Sequence, residues 1–268
     1  MIALVKKMSN YSCFTEGGSQ VLWNVVGGAI TAALAGAYTL GRRTLFRRSF
    51  RKIFGADVGT QDFHLAYALL SLKDLTPPDP MPYRKPGSPD VHISISYPVS
   101  FPEVRSAKYL SEGIASNRFS PPHLTSDIDL NSRLDISFIA FGGPLSNSKS
   151  KDAIECQNAL LRFDNQEFRS PKSNKIVVKR ENGFDYGLIL KVHPNQFPKR
   201  TWITCAGVGE WGSSGAAWYL AKKWSKILAF AGSKEFAVVV KVRGGQDESA
   251  EPVFQVTSLA EAENSGIG

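Results

Sequence analysis

Three glycines, Gly207, Gly209 and Gly212, stand between an apolar run and a helical pattern in the stretch TWITCAGVGEWGSSG. In dinucleotide-binding turns with this GxGxxG spacing, the first glycine permits the turn, the second lets the backbone approach a phosphate, and the third allows close packing of helix on strand. Ser213 and Ser214 follow at the predicted helix start, where the positive helix end favours an anion. The motif predicts a phosphate-binding loop. A tight structural corner is the alternative, because glycine supplies any left-handed turn.

Two acids bear on this choice. Dinucleotide fingerprints carry an acid about twenty residues after the glycines, at the end of the next strand, where it holds the ribose. Here the first acid after the next apolar run is Asp247, which lies too far along the chain. Glu210 lies inside the loop and repels a phosphate unless its side chain faces away. Trp211 is predicted to be exposed, and either to stack on a base or to block the crevice.

A second glycine junction follows the apolar run LDISFIAF and contains Gly142, Gly143 and Pro144, with Ser146 or Asn147 as the predicted N-cap of the next helix. Ligands of open α/β sheets bind outside the carboxyl ends of the strands, so the two junctions are predicted to border one crevice. A capped turn without a ligand is the alternative. The predicted ligand-binding residues are Gly142, Gly143, Pro144, Asn147, Gly207, Gly209, Glu210, Trp211, Gly212, Ser213 and Ser214.

Alternating strands and helices are predicted to position these loops. Strands are predicted at 63–72, 91–99, 134–141, 185–192, 201–206 and 236–242, and helices at 102–117, 148–161 and 213–230. Strands that are apolar throughout are typical of a sheet covered on both faces. The pattern therefore predicts a Rossmann-like, mostly parallel α/β sheet with helices on both faces over 57–257, followed by a flexible polar tail at 258–268.

The pairing of DISFIAFGGPLSN with the stretch from DYGLILKV to GEWGSSGAAWYL resembles the Rossmann-like nucleotide-sensing domains of bacterial conflict systems, the SLOG and STALD-type group. The resemblance covers residues 57–257 in architecture. It implies that a cytoplasmic domain recognises a nucleotide or an NAD-derived molecule and is coupled to a membrane or effector part. Pro144 departs from the GGA-type first loop of that group. The residues carried over are Gly142, Gly143, Gly207, Gly209 and Gly212.

The N-terminal region carries an uncharged stretch at 21–40, and 20 residues of helix reach about 30 Å, the thickness of a bilayer core. Six cations follow between Arg42 and Lys52, which by the positive-inside rule retain the C-terminal body in the cytoplasm. We therefore predict a short extracytoplasmic N-terminus (1–19), a transmembrane helix (20–41) and a basic juxtamembrane segment (42–56). A cleaved signal peptide and a buried core helix are the alternatives.

Charge and ligand-type residues limit the partners. The net charge of +8 is concentrated in the basic segment, which anionic lipid explains without nucleic acid. The four histidines stand apart and the three cysteines form no CxxC pair, so no metal site is predicted. Gly28, Ala32 and Gly36 recur at four-residue spacing, which favours a homo-oligomer formed through the predicted membrane helix.

These features predict a single-pass cell-membrane protein whose cytoplasmic domain binds a nucleotide or NAD-derived ligand, as a sensor or effector in a bacterial defence or signalling system. The alternative is an NAD or nucleoside glycosidic-bond hydrolase. In that enzyme Glu210, with Asp164, Asp185 or Asp135 nearby, supplies the carboxylate that stabilises a cationic ribosyl transition state.

Overall fold

The computed structural model of the chain describes residues 16–69, 99–164 and 166–265. The chain divides into two units, Met1–Arg48 and Ser49–Gly268. Helix α1 (Glu16–Phe54) begins in the first unit, and its last residues belong to the second.

The second unit is a mixed α/β domain. Its strands are β1 (Phe63–Tyr67), β2 (His123–Ser126), β3 (Ser137–Phe141), β4 (Arg162–Asp164), β5 (Glu167–Arg169), β6 (Phe184–Val192), β7 (Trp202–Gly207), β8 (Phe236–Arg243) and β9 (Gln246–Val256). Its further helices are α2 (Phe101–Ser116), α3 (Ser148–Ile154), α4 (Glu210–Ala231) and α5 (Leu259–Asn264).

The central sheet has seven strands in the order β2-β1-β3-β7-β6-β8-β9. Strands β2, β1, β3 and β7 are mutually parallel, and β6 and β9 run against them, so that five strands share one direction. This confirms a mostly parallel α/β sheet. The antiparallel part arises where connections are short, because only antiparallel neighbours can be joined without a long crossover. Strands β8 and β9, for example, are joined through Gly244 and Gly245.

Both faces of the sheet are covered. Ile203 and Cys205 of β7 face a core that includes α2, α4 and the end of α1, whereas Trp202 and Ala206 of the same strand face a second core that includes α3 and α5. Alternate residues of a strand point to opposite faces, so a strand between two cores must be apolar throughout. This is why the runs at 137–141, 202–206 and 236–242 lack polar alternation.

Several element boundaries differ from those predicted. Strand β1 ends at Tyr67, β3 begins at Ser137 and α3 ends at Ile154. The strand predicted at 91–99 lies outside the described residues except for Val99, which has no regular structure. Strands β2 and β9 were not predicted. β9 is polar and contains Pro252, and such a strand is tolerated because it lies at the sheet edge.

The C-terminal segment predicted as a polar tail contains helix α5 (Leu259–Asn264). Its start is capped by the Ser258 side chain, which accepts a hydrogen bond from the Glu261 backbone N–H at 3.3 Å. Ala262 is fully buried against the second core. Ala262 is the one buried residue among the six of this helix, and so short a segment shows no apolar periodicity from which the helix could be predicted.

The transmembrane prediction for residues 20–41 is wrong. Among the described residues, no helix combines the length and the apolar character that crossing a membrane requires. Helix α1 is 39 residues long, but the stretch is rich in alanine and glycine. These small side chains contribute much less to insertion than leucine, isoleucine or phenylalanine.

A buried lysine joins the strand layer to the end of α1. Lys191 of β6 is 1% exposed, and its Nζ donates hydrogen bonds to the backbone oxygens of Lys52 at 2.6 Å and Ser233 at 3.2 Å. Burial lowers the pKa of Lys191 to about 8, although the nearby Glu235 carboxylate opposes the shift.

The folded domain is expected to gain stability from this lysine as pH rises. Its folded pKa lies below 10.5, the ordinary value for lysine. The folded state therefore binds fewer protons than the unfolded chain between those two values, and the free energy of unfolding rises with pH. Relative to Lys191→Met, the parent should gain about 1.5 kcal/mol between pH 8 and pH 9.5 in urea unfolding. Lys222→Met, at an exposed position, should keep the parent's slope. If the difference in free energy of unfolding between the parent and Lys191→Met is the same at pH 8 and pH 9.5, the pKa of Lys191 is not lowered in the folded state.

Candidate functional site

The carboxyl ends of β1, β2, β3 and β7 lie along one edge of the sheet, because these four strands are parallel neighbours. A crevice of about 320 Å³ opens at this edge. It is lined by Ser100, Phe101, Pro102, Glu103, Gly142, Gly143, Ser146, Gly207, Gly209, Glu210 and Ser213. Both glycine junctions therefore border one crevice, together with the first turn of α2.

The loop between β7 and α4 already binds a carboxylate of the chain itself. Asp185, at the start of β6, accepts hydrogen bonds from the backbone N–H groups of Gly209 at 2.9 Å and Gly212 at 2.7 Å. Its Oδ1 also accepts from the Tyr186 N–H at 2.7 Å. A carboxylate placed at a helix N-terminus is stabilised by the helix dipole. Two of the loop donors that a phosphate was expected to use are thus occupied.

The glycines of the loop allow close backbone packing. A Cβ atom on Gly212 would lie 2.1 Å from the Tyr186 oxygen, and a Cβ on Gly207 would lie 2.2 Å from the Ser213 nitrogen. Gly187 of β6 faces the same contact, because its Cβ would lie 2.0 Å from the Gly212 oxygen. Gly212, the third glycine, therefore allows α4 to pack closely against β6, because no side chain separates the two backbones.

Five of the eleven predicted residues do not line the crevice. Asn147 is fully buried, and its side chain caps α3 through the Lys149 and Ser150 N–H groups and donates to the oxygens of Ala66 and Phe141. Gly212 lies against β6, as described above. The other three are Pro144, Trp211 and Ser214.

Trp211 and Ser214 belong to a buried polar network. The Arg105 guanidinium lies over the Trp211 ring, 4.1 Å from its centroid, and is paired with Asp247. The Ser214 hydroxyl donates to Asp247 at 2.7 Å. Trp211 is half-buried, because the Arg105 guanidinium from α2 covers its ring.

A larger cavity adjoins the crevice at Ser146, which lines both. It has a volume of about 1080 Å³, and its wall includes Pro144, Ser146, Lys151, Arg162 and Phe163. The acids named for the hydrolase alternative lie apart: Asp164 lines this cavity, whereas Asp135, which precedes β3, pairs with Arg200 at 2.8 Å.

Glu103 is the acid that the crevice buries. It is 3% exposed, and its Oε2 accepts a hydrogen bond from the Ala68 backbone N–H at 2.9 Å. Burial raises the pKa of Glu103 to about 7; the Asp127 carboxylate adds to the rise, and hydrogen bonds from Ala68 and Ser100 oppose it. A carboxyl group with such a pKa carries a proton for part of the time at neutral pH.

Sequence reasoning missed Glu103. An acid in the first turn of a helix is ordinary, because it complements the helix dipole. The available signal was its spacing: Glu103, Ala107, Leu110 and Ile114 lie on one buried face of α2. An acid on an apolar stripe must be buried with a partner or carry a shifted pKa.

Comparisons with protein-family models, curated proteins and solved structures find no match to this chain. The resemblance to the SLOG and STALD-type domains is therefore wrong. The two glycine junctions of this chain have a general physical cause. Any parallel strand that passes into a closely packed helix needs small residues at the turn. What stands is a mixed α/β domain with a crevice at the carboxyl edge of its parallel strands.

Proposed function

We propose that this chain binds a nucleotide or NAD-derived ligand, with a phosphate in the 320 Å³ crevice and the remainder in the adjoining 1080 Å³ cavity. The observation that carries the proposal is the meeting of both glycine junctions at one crevice, beside the starts of α2 and α4. The sheet is compatible with the predicted Rossmann-like architecture, in which ligands occupy this edge.

Hydrogen-bond donors and helix ends support this orientation of the ligand. The first turns of α2 and α4 both line the crevice, and helix N-termini carry partial positive charge. Hydroxyl groups of Ser100, Ser146 and Ser213 add donors. In the larger cavity, Lys151 and Arg162 supply cations beside the acids Asp127, Glu155 and Asp164. Phe163 supplies an aromatic ring for a base.

Gly143→Val is expected to weaken ligand binding at least about tenfold, or by about 1.4 kcal/mol, because the branched side chain enters the crevice. The backbone tolerates it: the nearest atoms to a Cβ there are the Gly207 oxygen and Phe163 Cε1, both at 3.9 Å. Gly209→Val is a poorer choice, since its Cβ would lie 2.7 Å from Asp185 Oδ2. Calorimetry with ADP-ribose, NAD and AMP measures the effect.

The matched control is Gly244→Val, which lies in the β8–β9 turn with its nearest Cβ neighbour also at 3.9 Å. It should bind as the parent does. If none of the three compounds binds the parent, or if Gly143→Val binds them all with the parent's affinity, the crevice is not the ligand site.

A glycosidic-bond hydrolase remains the second candidate, and Glu103 is the observation that favours it. A general acid–base works best with a pKa near the operating pH, as the pKa of about 7 for Glu103 provides. Under this alternative Glu103, rather than Glu210, serves as the carboxylate. Under this alternative, Glu103→Gln keeps NAD binding but releases no nicotinamide in a product assay. The absence of nicotinamide release by the parent excludes NAD hydrolysis.

The predicted lipid partner, cell-membrane localisation and self-association through Gly28, Ala32 and Gly36 stay predictions. The predicted role in bacterial defence or signalling depended on the resemblance, which the comparisons do not support.

A further inference from the structure

The Glu103 carboxyl group accepts hydrogen bonds from the Ala68 N–H and the Ser100 side chain, and its Oε1 lies beside the crevice. Oε2 accepts from the Ala68 N–H. Oε1 lies 2.8 Å from the point where a Cβ on Gly142 would stand. Gly142 has a φ of +103°, so glycine is favoured there for its backbone as well. Any side chain at position 142 would cover Oε1, and glycine leaves the oxygen next to the crevice space.

Burial is the main cause that disfavours the ionised form of Glu103, and Asp127, which follows β2, raises its pKa further by charge repulsion. Glu210 at the start of α4 lines the same crevice. Tyr67 of β1 and Lys108 of α2 share the neighbouring cavity of about 440 Å³ with it. None of the described residues that line the crevice is a lysine or an arginine. An anionic ligand placed there adds further negative potential.

We propose that Glu103 binds the ligand as a neutral carboxylic acid, and donates a hydrogen bond from Oε1 to a phosphate oxygen in the crevice. The inference rests on the proposed function and deepens it, because it names the contact that admits an anion to a crevice without cations. A protonated carboxyl is a donor, whereas a carboxylate only accepts and repels phosphate.

Ligand binding is then coupled to proton uptake. Only chains with a protonated Glu103 can donate this hydrogen bond and bind the ligand, so the apparent affinity falls as pH rises through about 7. Between pH 6 and pH 8 that fraction drops about tenfold, and the dissociation constant for the parent should rise about tenfold. ADP-ribose is the suitable probe, because each phosphate of its pyrophosphate bridge has a single acidic group of low pKa and keeps its charge in this range.

The experiment is calorimetry of ADP-ribose with the full chain at both pH values, repeated at pH 7 in buffers of different ionisation enthalpy to count the protons taken up. The parent should show the tenfold change and a net uptake. Glu103→Gln keeps an acceptor for the Ala68 N–H and a donor toward the crevice, so its affinity should be independent of pH with no uptake. Glu210→Gln, the matched control, removes a charge from the same crevice and should retain both effects.

Binding by the parent with equal affinity at both pH values overturns this inference and leaves the proposed function standing. So does a tenfold pH dependence that persists in Glu103→Gln. If ADP-ribose binds neither the parent nor Glu103→Gln at either pH, the proposed function and the inference fall together.

Discussion

Gly212→Val is expected to unfold the α/β domain or to leave it with most of its stability lost. A Cβ at this position would lie 2.1 Å from the oxygen and 2.7 Å from the carbonyl carbon of Tyr186, and 2.9 Å from Gly207 Cα. All three are backbone atoms, so α4 must move away from β6. Overpacking a core costs typically 1–3 kcal/mol; a clash with backbone on two sides should cost about 4 kcal/mol or more, against a total of roughly 5–15 kcal/mol.

Urea unfolding followed by circular dichroism measures this loss. Gly143→Val is the matched control, since it places the same side chain in the other glycine junction with 3.9 Å to the nearest atoms, and it should unfold close to the parent midpoint. Equal midpoints for Gly212→Val and Gly143→Val would mean that α4 and β6 are not held at this distance in solution.

Removal of the Arg105 charge is expected to have the second large effect. Asp247 on β9 is fully buried, and its carboxylate is paired with Arg105 and accepts a hydrogen bond from the Ser214 hydroxyl at 2.7 Å. Arg105→Met leaves a buried charge without its cation, which costs about 3–5 kcal/mol. Trp211 also loses the guanidinium 4.1 Å above its ring.

The double variant Arg105→Met, Asp247→Leu tests the cause. With both charges replaced by apolar groups, no unpaired charge remains, and the free energy of unfolding should recover by at least half of the loss. Lys108→Met is the control, because the contact of 4.0 Å between Lys108 and Glu112 is exposed; its effect should stay below about 0.5 kcal/mol. A single-variant loss as small as that of Lys108→Met contradicts the importance of the buried pair.

The sequence by itself determined the elements whose signals are local. The apolar runs that became β3, β6, β7 and β8 could be recognised because a strand between two cores must be apolar throughout. Helix α4 shows its periodicity over 22 residues. The two glycine junctions could be assigned to one crevice, since the carboxyl ends of neighbouring parallel strands meet at one edge.

Only the tertiary structure decided what occupies the donors of the glycine loop. Asp185 lies 24 residues before Gly209, and it reaches the loop because β6 runs antiparallel beside β7. Strand order and direction depend on which surfaces pack together, which a local pattern does not record. The same holds for Trp211, whose ring is covered by Arg105 from a helix more than a hundred residues away.

The burial of Glu103 and Asp247 is the clearest case. In the sequence they are two acids in polar surroundings, one in the first turn of a helix and one in a turn-like stretch, and acids are mostly exposed. Tertiary packing leaves Glu103 3% exposed and Asp247 0% exposed, and it surrounds the two acids with different partners. Asp247 receives an arginine as its partner. For Glu103, burial raises the pKa to about 7 and the nearby Asp127 carboxylate adds to the rise, although the hydrogen bond from the Ala68 N–H opposes it. The ionisation of a buried group depends on the charges that the fold assembles around it, and those come from segments that are distant in the chain.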